Sequence, residues 1–156
     1  MERFEITFFC KKETYKESAV ELIDRCARKH PFFGEAFFTE VFAEDNRDFT
    51  EIRFSIPDLV LTSKTYEKAF AVFSNFVSEI FAATPEIEVA TGIYQLTYYL
   101  IERENKKRLN EFDSEFLSKF PLVFIRPENH KTQGMKIFQD DHVIGIYHKN
   151  AQILYS

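Results

Sequence analysis

The residues able to act on a bound molecule are four histidines, two cysteines and 25 acids in a chain of 156. Three of the histidines, His130, His142 and His148, fall in the C-terminal third. Asp140, Asp141 and His142 together make a local set of oxygen and nitrogen donors. An Asp-Asp pair between two strands is also what a turn wants, and a solvated turn is the stronger reading. His142 and His148 share a strand face by parity. Six strand residues span about 20 Å, too far for one metal ion. No metal and no cofactor is therefore expected. His130, Asp140, Asp141, His142 and His148 stand as an alternative site for a small ligand or a hydrolytic reaction.

Cys26 and His30, four apart on one helix, are the spacing of a thiolate–imidazole nucleophile. Cys26 lies in the middle of an apolar stripe with no orienting acid in sight, so a buried structural thiol is the better reading. GxGxxG, Walker A, HExxH, CxxC and GxSxG motifs are all absent. Catalysis is thus the weaker expectation, and binding the stronger.

Charge gives the sharper signal. The net charge is −5, from 25 acids and 20 bases. Between Glu35 and Glu51 stand six acids (Glu35, Glu40, Glu44, Asp45, Asp48 and Glu51) and one base, Arg47. That segment carries the whole imbalance, and 19 acids meet 19 bases elsewhere. Such a patch can steer a basic partner. It can also simply keep a sheet edge from pairing with other edges. A general nucleic-acid binder, which needs a basic stripe, is not expected.

The elements that must position these residues follow from periodicity. Phe4, Ile6 and Phe8 alternate with Arg3, Glu5 and Thr7, which predicts a half-buried strand with the second set outward. Thr14 and Glu17 have capping-box spacing for a helix carrying Ala19, Leu22, Ile23, Cys26 and Ala27 on one stripe. Glu21–Arg25 and Asp24–Arg28 fit i,i+4 pairs, and Pro31 ends the helix. Strands are predicted at 35–43 and 49–56 around the turn 44–48. The first is apolar on both sides and is expected to be covered on both. A second helix follows Thr62 or Ser63, with Tyr66, Phe70, Phe73, Phe76, Val77 and Ile80 inward. A long strand runs from 87 to 101, with a bulge at Gly92 and Tyr94, Tyr98 and Tyr99 along it. Residues 102–108 form a charged strand end or loop. A short helix at 110–119 precedes a strand at 122–125 and a meander at 135–138, 143–147 and 151–155, with turns at Asp140-Asp141 and Lys149-Asn150.

The expected class is α+β, one domain over 1–156. Residues 1–101 carry the ferredoxin-like βαββαβ order, an antiparallel sheet with two helices on one face. Residues 102–156 add a C-terminal helix and β-meander. Many unrelated functions share that order. The first residues, Met1-Glu2-Arg3-Phe4-Glu5, hold acids and no apolar run. No stretch approaches the roughly 18 apolar residues of a membrane span. Two cysteines are too few for a disulfide framework. These points give the expectation of a cytoplasmic protein with no membrane partner. Its function is expected to be docking of a basic protein, such as a toxin blocked by an immunity-type inhibitor, on the six acids. A homodimer through sheet edges is a further option.

Overall fold

The computed structural model describes residues 3–57, 59–62, 64–94, 106–130 and 133–149. The protein is α+β, with one seven-stranded antiparallel sheet and three helices among these residues. The strands are β1 (Phe4–Lys11), β2 (Phe38–Phe42), β3 (Phe49–Ile56), β4 (Ile87–Tyr94), β5 (Leu122–Ile125), β6 (Met135–Gln139) and β7 (Ile144–Tyr147). The helices are α1 (Glu17–Arg28), α2 (Tyr66–Ala83) and the single turn α3 (Ser114–Leu117). Across the sheet the strands run β2-β3-β1-β4-β5-β7-β6. None of these helices is long and apolar enough to cross a membrane.

Alternation puts Phe4, Ile6 and Phe8 of β1 and Ile52, Phe54 and Ile56 of β3 on one face, where α1 and α2 cover them. Phenylalanine does most of the filling. Phe33, Phe54 and Phe76 meet with ring centroids 4.8–5.2 Å apart, and Phe4 stacks on Phe73 at 5.1 Å. Burying each such ring contributes about 1.5–3 kcal/mol. The abundance of Phe thus reflects an aromatic core under the two helices.

The opposite face has its own core. Phe9, Phe49, Val89, Val123 and Ile146 pack under Leu109, Phe112, Phe116, Leu117 and Phe120. The C-terminal region does two things at once. Its strands extend the sheet from the β4 edge, and residues 109–120 cover the second face. Arg126 ties the extension to α2. Its guanidinium donates to the carbonyls of Phe81, Thr84 and Ile87 at 2.9–3.0 Å, satisfying groups a helix end leaves open.

Several expectations are corrected. The strand predicted at 35–43 is the shorter β2, and it is an edge strand rather than one covered on both sides. The Thr14–Glu17 capping box does not form. Thr14 Oγ1 donates to the Lys11 carbonyl inside a 3-10 turn at Lys12–Thr14, and α1 begins after Lys16 without a side-chain cap. The predicted helix at 110–119 is a 3-10 turn at Leu109–Glu111 followed by α3. Asp113 separates them and accepts the Phe116 N–H at 2.9 Å. Gly92 makes no bulge. The irregularity falls instead between Phe9 and Cys10 in the β1–β4 ladder. Gly92 allows close approach: a Cβ there would lie 3.1 Å from Leu122 Cβ and 3.2 Å from the Phe4 ring. The predicted strand residues 95–101 and 151–155, with Tyr98, Tyr99, Asn150 and 102–105, lie outside the described residues.

Candidate interaction site

The hairpin β2–β3 carries the acidic segment at the edge of the sheet. In its register Glu40 faces Arg53 and Phe42 faces Glu51. The six acids divide into two groups. Glu51 is 2% exposed, and its carboxylate takes Arg47 Nη1 at 3.2 Å and Arg53 Nη2 at 3.4 Å. Asp48 holds the chain that crosses the hairpin. Its N–H donates to the Lys107 carbonyl at 2.9 Å, and its Oδ1 accepts the Leu109 N–H at 2.8 Å. These two acids serve the fold. Glu35, Glu44 and Asp45 are exposed, as is Asp48 despite its backbone bonds, and the Glu40 side chain is 43% exposed.

A layer of arginines lies beneath them. Arg3 sits 3.6 Å from Glu40, and Arg47 sits 3.6 Å from Glu44. Arg53 stacks on Phe42 at 4.0 Å and Arg3 on Phe38 at 4.8 Å. Arg47 Nε donates to the Lys106 carbonyl at 3.0 Å. Lys12 Nζ reaches the Glu44 carbonyl. Cations held by ring and carbonyl contacts beneath the acids fix where the negative charge sits. Val41, 40% exposed, stands among them on the open edge.

Behind the hairpin the same sheet face is polar and buried, which alternation alone did not reveal. Arg3, Glu5 and Thr7 were expected to point outward. Glu5, Thr7, Ser55 and Thr91 are instead fully buried. Thr7 lies between Arg53 and Thr91, and Glu5 between Ser55 and Ile93. Ser55 Oγ donates to Glu5 Oε1 at 3.4 Å, and Arg3 Nε is 3.3 Å from the same oxygen. Burial pushes the Glu5 carboxyl above its usual range, outweighing the pull of Arg53 and Arg3. A sequence signal did exist. Glu51, Arg53 and Ser55 are polar on the β3 face that adjoins Glu5 and Thr7. Meanwhile the apolar residues of 109–120 need that face of the sheet to cover.

The C-terminal residues do not converge. Asp140 Oδ1 caps its own turn, accepting the His142 and Val143 N–H groups at 2.8 and 2.9 Å. Ser78 of α2 donates to Oδ2. Burial raises this carboxyl, but the Ser78 hydroxyl and the two backbone N–H groups prevail and hold it below its usual range. Asp141, His142 and His130 are exposed. His142 precedes β7 and His148 follows it. His148 is buried, with Nδ1 2.9 Å from the Phe120 carbonyl and Nε2 2.6 Å from that of Gln133. Among the described residues no three His, Cys, Asp or Glu side chains are grouped to hold a metal ion.

Cys26 has an acid neighbour that sequence spacing could not show. Glu79 of α2 lies 3.8 Å from His30 Nε2 and 3.2 Å from Lys29 Nζ. The arrangement still makes no nucleophile. Burial, then the hydrogen bond to Glu79, pushes the Cys26 thiol up to about 11, so the thiolate is scarce at neutral pH. A cleft of about 290 Å³ lies where α1 begins, lined by Cys10, Tyr15, Lys16, Leu22, Arg25 and Glu86. It contains none of the candidate residues.

No protein family, no curated protein and no solved structure matches the chain.

Proposed function

We propose that the chain is a small protein-binding module that receives a basic partner on the β2–β3 hairpin, in the manner of an immunity-type inhibitor that covers a toxin's active surface. The supporting observation is the exposed quartet Glu35, Glu40, Glu44 and Asp45, with Glu40 on the edge strand and the others beside it in the flanking chain, and with Arg3 against Glu40 and Arg47 against Glu44. A charge pattern held in place gains orientation as well as attraction. The six-acid surface read from composition becomes four, because Glu51 is buried against Arg47 and Arg53 and Asp48, although exposed, is taken up by the Leu109 N–H. We read β2-β3-β1-β4 with α1 and α2 as a ferredoxin-like unit, and β5, β7 and β6 as its extension. The cytoplasm is the compartment in which we place it, and the reading requires no cofactor.

The test compares native-extract capture by the wild-type chain and by Glu35→Lys/Glu44→Lys/Asp45→Lys, with partners identified by mass spectrometry. A basic protein held by the wild type and lost by the variant is the expected result. Equal capture by both places the docking surface elsewhere and removes this reading.

A further inference from the structure

β1 and β4 set three oxygen atoms side by side on the buried polar face. Glu5 Oε2, Thr7 Oγ1 and Thr91 Oγ1 have no hydrogen-bond partner, although all three residues are 0% exposed. Thr7 and Thr91 are direct register partners, with Cβ atoms about 5 Å apart. Glu5 is two residues along β1 on the same side, about 7 Å away. A single orphan hydroxyl is unremarkable in a sheet, and Thr50 is one on the opposite face. Three in adjacent positions is another matter. Each was withdrawn from water, and among the described residues nothing replaces the bonds it lost.

Some of the surrounding groups are engaged. Glu5 Oε1 has Ser55 and Arg3, and Arg53 holds Glu51. On Glu5, Thr7 and Thr91 one carboxyl oxygen and two hydroxyls stay open, each hydroxyl able to donate and to accept, and Arg3 Nε beside them also makes no hydrogen bond. The charges of Arg3 and Arg53 balance those of Glu5 and Glu51. A metal cation entering here would meet two guanidinium groups, and an anion would meet two carboxylates. A neutral hydroxyl meets neither obstacle. It can donate to Glu5 Oε2 while accepting from a threonine.

We propose that Glu5, Thr7 and Thr91 form a buried binding site for a neutral hydroxyl donor. Water and the hydroxyl of a small polyol share this chemistry and differ in size. The site owes nothing to the exposed acids of the hairpin, so it stands or falls separately from the docking proposal.

The test uses Thr7→Val, Thr91→Val and the double variant, which delete the hydroxyls and keep the side-chain shape. Thr50→Val, which deletes an orphan hydroxyl on the opposite face, supplies the baseline. With a guest in place, the double variant strands its hydrogen bonds. The folding constant from urea titration then falls about tenfold or more below that baseline. A double variant as stable as the baseline, or more stable, means a dry site and overturns the proposal. The guest's identity is read from the small-molecule extract of the denatured protein. A stoichiometric polyol, missing from the double variant's extract, assigns a ligand. Destabilisation without any such molecule assigns water.

Discussion

Replacing Glu51 by Gln separates the acids that hold the protein together from those that face a partner. Gln keeps the length and an oxygen acceptor but removes the charge. The Glu51 side chain is 3% exposed, and those of its partners Arg47 and Arg53 are 8% each. Solvent therefore screens the loss poorly. Removing one member of a buried ion pair costs about 3–5 kcal/mol. Here the lower end applies, because Arg47 also bonds the Lys106 carbonyl and stacks on Phe49, and the amide oxygen retains one contact. With a urea dependence of about 2 kcal/mol per M, a cost of about 3 kcal/mol moves the midpoint down by roughly 1.5 M. Glu44→Gln is the control. Its contact with Arg47 is 3.6 Å long and its side chain 52% exposed, so it should change stability by less than about 1 kcal/mol. The assay is equilibrium urea unfolding followed by circular dichroism. If Glu51→Gln moves the midpoint no further than Glu44→Gln does, the arginine layer is not held by Glu51, and the division of the acids into two groups is wrong.

Two further outcomes follow. The Glu5 carboxyl is raised above its ordinary value of 4.5, so the folded state holds its proton more tightly than the unfolded state. Its contribution is full below that value and is lost as pH rises through the folded-state range. Comparing wild type with Glu5→Gln across pH 3 to 8, about the span in which carboxyl groups titrate, should show this loss in the wild type alone. A flat difference would refute it. Gly134 has φ of +147°, and a Cβ there would fall 2.7 Å from Ile146 Cγ2 and 2.8 Å from His148 Cδ2. Gly134→Ala should cost about 2 kcal/mol or more in thermal unfolding, and a melting temperature equal to the wild type's would contradict that geometry.

Periodicity made the strands β1, β3 and β5 and the two long helices legible, because each has a strong two- or 3.6-residue repeat. It could not rank the faces of the sheet. Alternation shows that Glu5 and Thr7 oppose Phe4 and Ile6. Whether that side meets water depends on what else packs there, which is set by residues about a hundred positions away. The same limit explains Glu51 and Asp48, which count as patch acids in a composition and as internal ties in the fold. Strand order was likewise out of reach beyond β4. Short strands such as β5 and β7 pair by mutual fit, and β7 reaches β5 by way of β6 and its turn. Asp113 was missed as a cap because the neighbouring apolar residues suggested one continuous helix.

The central position of β1 has a consequence for synthesis. Its two neighbours in the sheet are β3 and β4, so the strand with Phe4, Ile6, Phe8 and Phe9 can pair with nothing until residues 49–56 exist. Its other edge then waits for 87–94. At about 5–20 residues per second, the 83 positions between Lys11 and Tyr94 take roughly 4–17 s to translate. For that interval a nascent chain displays a strand rich in phenylalanine without all of its final partners. Contacts this distant in sequence also form slowly once the chain is free. The yield of native protein should therefore depend on translation speed and chaperone supply more than a finished, doubly covered sheet would suggest.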